Sequence, residues 1–178
     1  MKTKVLVAHA SKYGSTQEVA DTVAATLRDQ GFEVDLQPVG KVRRVDGYRA
    51  VVLGTAIYYG AWRKEAHGFL ERNREELEVR PVALFAMGPM GDSPSEMDRA
   101  KSQAALQKDL AKHPWLTPVA LEMFGGKFDP ARLDVADRLV TSLPASPLHG
   151  KPANDLRDWA AIRAWAGSLA SKLQPASI

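Results

Sequence analysis

The residues with the most chemistry per position are Ser11-Lys12-Tyr13-Gly14-Ser15-Thr16. Three aliphatic hydroxyls and a glycine lie in this six-residue loop, between an apolar run and a helical stripe. Backbone N–H groups at a helix N-terminus, the helix dipole and hydroxyl donors together make an anion site. The loop lacks G-x-G-x-x-G, which argues against a dinucleotide pyrophosphate. It also lacks G-x-x-x-x-G-K-[ST], the loop of nucleotide hydrolases. A hydroxyl-rich loop with no metal-binding acid suits a terminal phosphate monoester; taken alone, the loop also reads as a plain N-cap on a solvated turn.

A second group follows the third apolar run. Thr55-Ala56-Ile57-Tyr58-Tyr59-Gly60 leads to Trp62, placing three aromatics in five residues. Aromatic faces stack on flat heterocycles. Trp62 is expected to pack inward, whereas Tyr58 and Tyr59 are the candidate platform. A third group, Met87-Gly88-Pro89-Met90-Gly91, is apolar and glycine-bearing, so its backbone can approach a ligand closely. A phosphate cradle, an aromatic loop and a glycine-bearing loop describe a site for a planar ring on a phosphate tail, which is FMN.

The elements that position these loops alternate. Val5-Leu6-Val7-Ala8 is a strand, and Val19, Val23 and Leu27 form the stripe of a helix, with Ser15-Thr16-Gln17-Glu18 as a capping box and Gly31 at C′. Phe32 to Leu36, Ala50 to Leu53, Pro81 to Ala86 and Pro118 to Phe124 read as four further strands. Helices are expected at about Trp62 to Asn73, at Ser95 to Ala111 and at Asp155 to Leu173. This alternation predicts an α/β fold, a parallel sheet with helices on both faces. Ligands of such sheets bind at the carboxyl ends of the strands. The stretch from Gly125 to Asn154 breaks the pattern with four prolines and one short amphipathic piece, so it reads as an irregular insertion with a lid-like role.

At these residues the chain resembles the flavodoxins. It is most similar to the flavodoxin-domain family that includes the menaquinone-dependent protoporphyrinogen oxidase. The likeness rests on Ala10-Ser11-Lys12-Tyr13-Gly14-Ser15-Thr16, on Gly54-Thr55-Ala56-Ile57-Tyr58-x-Gly60, on the Gly-Pro loop after the fourth strand, and on Asp158-Trp159 opening the last helix. It covers nearly the whole chain as one domain. It implies a three-layer sandwich with a five-stranded sheet of order 2-1-3-4-5. It also implies FMN with its phosphate on Ser11 to Thr16, and its ring between Thr55 to Gly60 and Met87 to Gly91. In flavodoxins a peptide turns toward flavin N5, which needs φ > 0. The present reading places Tyr58 there, where that turn costs roughly 1–2 kcal/mol, and so predicts two-electron behaviour.

Composition narrows the function further. Hydrophobic residues are 45% and charged residues 25% of the 178, which is globular composition. Cysteine is absent, which removes thiolate catalysis and Cys-ligated metals. The formal net charge is +3 with no run of five like charges, so nucleic acid is not an expected partner. A basic chain also weighs against a general shuttle that docks on basic proteins. A phosphoacceptor receiver needs acids where His9-Ala10 and Gly54-Thr55 stand, and G-x-S-x-G is absent. The histidines His9, His67, His113 and His149 follow no metal spacing and read as surface or loop residues. No stretch reaches the ~18 apolar residues of a membrane span, and no secretory leader is visible, so the expected location is the cytoplasm. Membrane association is expected to be weak at most, because Phe128 to His149 is mixed in charge. The expected function is FMN-dependent oxidoreduction between a quinone or reduced carrier and a hydrophobic substrate such as a porphyrinogen. The alternative is a non-catalytic electron-transfer protein acting on redox partners.

Overall fold

A computed structural model describes residues 2–88 and 95–174. Five parallel strands form the sheet: β1 (Lys4–Ala10), β2 (Glu33–Pro38), β3 (Ala50–Tyr58), β5 (Val82–Met87) and β6 (Ala120–Phe124). Their order is β2-β1-β3-β5-β6, which is the expected 2-1-3-4-5. β1 and β3 are central and lack polar side chains over most of their length, because both faces are covered by helices. One face packs on α1 (Ser15–Asp29), α6 (Trp159–Ser168) and α7 (Ala170–Leu173), burying Val5, Val19, Val23, Leu27, Val52 and Ile162. The other packs on α2 (Lys64–Arg72), α3 (Arg74–Glu78) and α4 (Glu96–Leu110), burying Leu6, Val51, Leu53, Phe69, Leu77 and Leu106. No helix among the described residues is long and apolar enough to cross a membrane.

Helix ends follow the expectations unevenly. Ser95 caps α4 in a reciprocal box with Asp98. Gly31 closes α1 at φ 92° with Phe32 N–H donating to the Leu27 carbonyl. The capping box expected at Ser15 to Glu18 is not formed. Gly14, at φ 90°, is the N-cap of α1 and has no side chain to cap it, while Glu18 accepts from Arg157 at 2.6 Å.

The third strand is longer than its apolar run. It continues to Tyr58 and folds back as β4 (Ala61–Trp62), antiparallel, with Ile57 opposite Trp62 and Tyr58 opposite Ala61. The aromatic segment is therefore the tip of a hairpin. Trp62 packs inward as expected, 4% exposed, and its backbone N–H donates to the buried Asp109 carboxylate at 2.6 Å.

His149 is exposed as expected, but two histidines depart from the surface reading. His9 and His113 are buried, 6% and 3% exposed. His113 Nδ1–H donates to Glu71 at 2.6 Å. Its Nε2 is then an acceptor, taken by His67 Nδ1–H at 2.7 Å. Both rings stack beside Trp62, so they brace the hairpin from below. The stretch from Gly125 to Asn154 is also not irregular throughout. β7 (Lys127–Phe128) pairs with β8 (Asn154–Asp155), and between them lie a 3-10 turn and α5 (Val135–Ser142). Val135 and Leu139 stay exposed on this helix, as does Leu143 at its C-cap, so its inward face is not its apolar one.

Candidate functional site

The carboxyl ends of β1, β3 and β5 bring the first two candidate loops to one edge. A small pocket of about 40 Å³ is bordered by Ser11, Thr16, Ala56, Tyr58 and Met87. Beside it a cavity of about 310 Å³ runs from Tyr13, Ser15, Ile57, Tyr58, Tyr59, Gly60 and Gly88 out to the 127–148 segment. Pro89, Met90 and Gly91 lie outside the described residues. Thr55 is buried, and its hydroxyl accepts from the Arg63 N–H at 3.4 Å, so it holds the hairpin base.

In the first loop, the Gly14 N–H donates to Ser11 Oγ at 2.9 Å and closes the turn. Gly14 tolerates φ 90° because it has no Cβ. The Thr16 side chain is fully buried and its hydroxyl has no partner. A buried, unpaired hydroxyl is costly. Together with the uncapped first turn of α1, it fits an anion that accepts from both.

Lys12 borders the same small pocket, and its ammonium is engaged by two carboxylates. Its Nζ is 2.5 Å from Asp137 and 2.9 Å from Asp134, and the hydrogen bond to Asp137 pushes its pKa above the ordinary lysine value. The Asp137 carboxylate, 9% exposed, also accepts from the Tyr13 and Tyr58 hydroxyls and from Tyr59 at 3.3 Å. Burial alone would raise its pKa. The bonds from Lys12, Tyr13 and Tyr58 outweigh that and bring it down to about 2. Burial, reinforced by the bond to Asp137, pushes the Tyr58 phenol well above its usual range. The roof helix is thus pinned to both candidate loops through one carboxylate.

Sequence reading missed three groups here. Asp137 counts in the sequence only as one charge of the mixed segment Phe128 to His149. Arg63 borders the small pocket with its buried Nε unpartnered. Arg157, just before α6, donates to the Ser15 carbonyl at 3.3 Å and to Glu18 at 2.6 Å, and holds Asp155 at 2.6 Å. The Arg-Asp-Trp sequence at 157–159 was the available signal.

The family model described as Flavodoxin domain matches residues 6–155. The chain belongs to the flavodoxin-domain family. Membership implies a flavin cofactor and electron transfer. Protoporphyrinogen IX dehydrogenase [quinone] of Escherichia coli strain K12 is 24% identical over 114 residues, covering 63% of this chain and 62% of that protein. The match thus spans less than two thirds of the relative's length. Oxidised flavodoxin 1 from Bacillus cereus aligns over 97% of this chain and 100% of its own, with a TM-score of 0.58 and 14% identity. Flavodoxin 2 from the same organism aligns over 96% and 99%, with a TM-score of 0.56 and 21% identity. These likenesses show the fold.

Within the flavodoxin-domain frame, the left-handed residues of the hairpin tip follow Tyr58. Tyr59 and Gly60, not Tyr58, adopt φ > 0, at 49° and 75°. A type I′ hairpin turn needs both central residues left-handed, and Asn-Gly meets that need at least cost. Tyr59 is therefore strained, and strain of this kind persists where function holds it. Tyr59→Asn is expected to stabilise the fold by about 0.5–1 kcal/mol, or about 1–4 °C in Tm. Tyr59→Phe, which removes only the 3.3 Å hydroxyl contact, is the reference in the same thermal melt. An Asn variant that melts no higher than the Phe variant counts against the strain.

Proposed function

We propose that the protein is an FMN-dependent oxidoreductase that passes electrons between a quinone or reduced carrier and a hydrophobic small molecule, in the manner of the protoporphyrinogen dehydrogenases. One observation carries this reading. The cavity at the sheet edge is roofed by Phe128, Leu133, Pro147 and Leu148, whereas a protein-to-protein carrier leaves its flavin edge open to solvent.

The residues present fit FMN. The orphaned Thr16 hydroxyl and the free first turn of α1 would hold the phosphate. Ser11 keeps the loop closed by accepting from Gly14. Ile57 and Tyr58 line the cavity as apolar and aromatic wall for a flat ring. FMN bound there would supply the electron-carrying chemistry between the two substrates. The chain's own part is to bind, to orient and to exclude water. The roof does the last, and Asp137 fixes the phenols that form one wall.

Purified protein should bind FMN in preference to riboflavin and FAD in a flavin-fluorescence titration. Thr16→Ala should weaken FMN by about 1–3 kcal/mol, five- to 150-fold, and leave riboflavin affinity unchanged. Equal affinity for FMN and riboflavin would remove the phosphate site. Turnover of a reduced tetrapyrrole with a quinone acceptor separates the enzyme from a carrier, which reduces only a protein partner.

A further inference from the structure

The small pocket beside the first loop is bordered by three cations, Lys12, Arg63 and Lys127, and by no carboxylate among the described residues. Lys12 is taken up by Asp137 at 2.5 Å and Asp134 at 2.9 Å. Lys127 stands opposite Asp155 in the two-stranded ladder and interacts with its charge. Arg63 is held differently. The hairpin returns the chain so that the Arg63 backbone N–H donates to Thr55, at the end of β3, and residue 63 becomes the N-cap of α2. One terminal nitrogen of its guanidinium donates to Glu65 at 2.7 Å. The side chain is 20% exposed, and its buried Nε–H finds no acceptor among the described residues. Thr16, in the same lining, carries the other orphaned polar group.

A phosphate monoester carries about 1.5 to 2 negative charges at neutral pH. The N-terminus of α1 answers with about half a positive charge, and the Thr16 hydroxyl is neutral. A dianion in this pocket therefore needs formal positive charge close by. A planar guanidinium pairs with phosphate oxygens through two parallel N–H donors, which a lysine cannot do. We propose that Arg63 is the cationic partner of the flavin phosphate and makes the site select a dianionic tail. The inference rests on the reading of this pocket as the phosphate site.

The test is flavin-fluorescence titration of the whole chain with FMN, riboflavin and riboflavin 5′-sulfate. The sulfate has the tetrahedral shape of the phosphate and a single charge. Wild type should bind FMN most tightly, the sulfate less tightly and riboflavin least. Arg63→Gln should weaken FMN about ten- to 150-fold, close most of the gap between FMN and the sulfate, and leave riboflavin where it was. Arg63→Lys, which keeps the charge and loses the planar fork, should fall between. Raised salt should weaken FMN more in wild type than in Arg63→Gln. Glu65→Gln removes the same ion pair from its other side and should keep the preference for FMN, so it separates phosphate binding from bracing of α2. An Arg63→Gln variant that keeps the wild-type preference for FMN over riboflavin overturns the proposal. Equal losses of FMN and riboflavin in Arg63→Gln also overturn it, as does a Glu65→Gln variant that loses FMN as Arg63→Gln does, because each marks Arg63 as scaffold. Failure of the underlying reading looks different: wild type then binds the three flavins alike, and the proposal falls with it.

Discussion

Replacing Asp137 by alanine is expected to cost about 2–4 kcal/mol and to loosen the roof of the cavity. Its carboxylate joins three parts of the chain. Lys12 and Tyr13 come from the loop after β1, Tyr58 and Tyr59 from the hairpin, and Asp137 itself from α5. Without it, Lys12 keeps Asp134, but the Tyr13 and Tyr58 hydroxyls lose their acceptor in a half-buried place. Unmade hydrogen bonds of that kind are the large term. Asp137→Asn keeps an acceptor and loses the charge, so it should cost less than the alanine. Urea denaturation measures both, and limited proteolysis within 129–152 should quicken in the same order. The pH dependence has a definite sign. The pKa is about 2 in the folded chain and about 3.9 in an unfolded one. The contribution is therefore complete above about pH 4 and disappears as pH falls toward 2. Wild-type stability should drop through that window more steeply than that of Asp137→Asn. Parallel curves would mean that the carboxylate does not hold the roof.

The frame of this molecule is written in local signals, and much of the site is not. Val5 to Ala8, Ala50 to Leu53 and Val82 to Ala86 are apolar runs that have only one place to go, the doubly covered sheet. The first loop is legible because its hydroxyls and glycine lie within six residues. The roof is different. β7 and β8 are two residues each and lie 26 positions apart, counting from Phe128 to Asn154, too short and too distant for any periodicity. Asp137 meets Tyr58 across 79 positions, so its burial exists only in the folded chain. His67 and His113 pair across 46, which hid them among isolated histidines. The hairpin was obscured by its own chemistry. Tyr59-Gly60 lacks the Asn that marks such turns, and the aromatic content drew attention to stacking.

Gly125→Ala is expected to cost about 3 kcal/mol or more, and to weaken FMN as well. A Cβ at this position would lie 2.1 Å from the Leu156 carbonyl oxygen and 2.7 Å from its carbon. That carbonyl belongs to the backbone, and it cannot swing aside cheaply, because the Leu156 N–H already donates to the Gly126 carbonyl at 3.0 Å. The segment just after β8 that carries Leu156 must move, and Arg157 follows it. Arg157 is the group that ties this segment to Ser15 and Glu18 at the start of α1, so the first loop should shift too. Gly54→Ala provides the contrast. Its Cβ would meet the end of the Phe85 ring at 2.1 Å, a clash of similar closeness inside the core. Overpacking of this kind costs about 1–3 kcal/mol and occasionally more, or about 2–12 °C in Tm for a chain of this size. Gly40, with nothing within 4 Å of its Cβ position, should accept alanine without loss. Thermal melts rank the three. Flavin-fluorescence titration at a temperature where all are folded then separates the two clashing variants: Gly125→Ala should lose FMN affinity several-fold more than Gly54→Ala, because only the first displaces the arginine behind the loop. Equal FMN affinity in the two would show that Arg157 braces the C-terminal strand alone and not the loop.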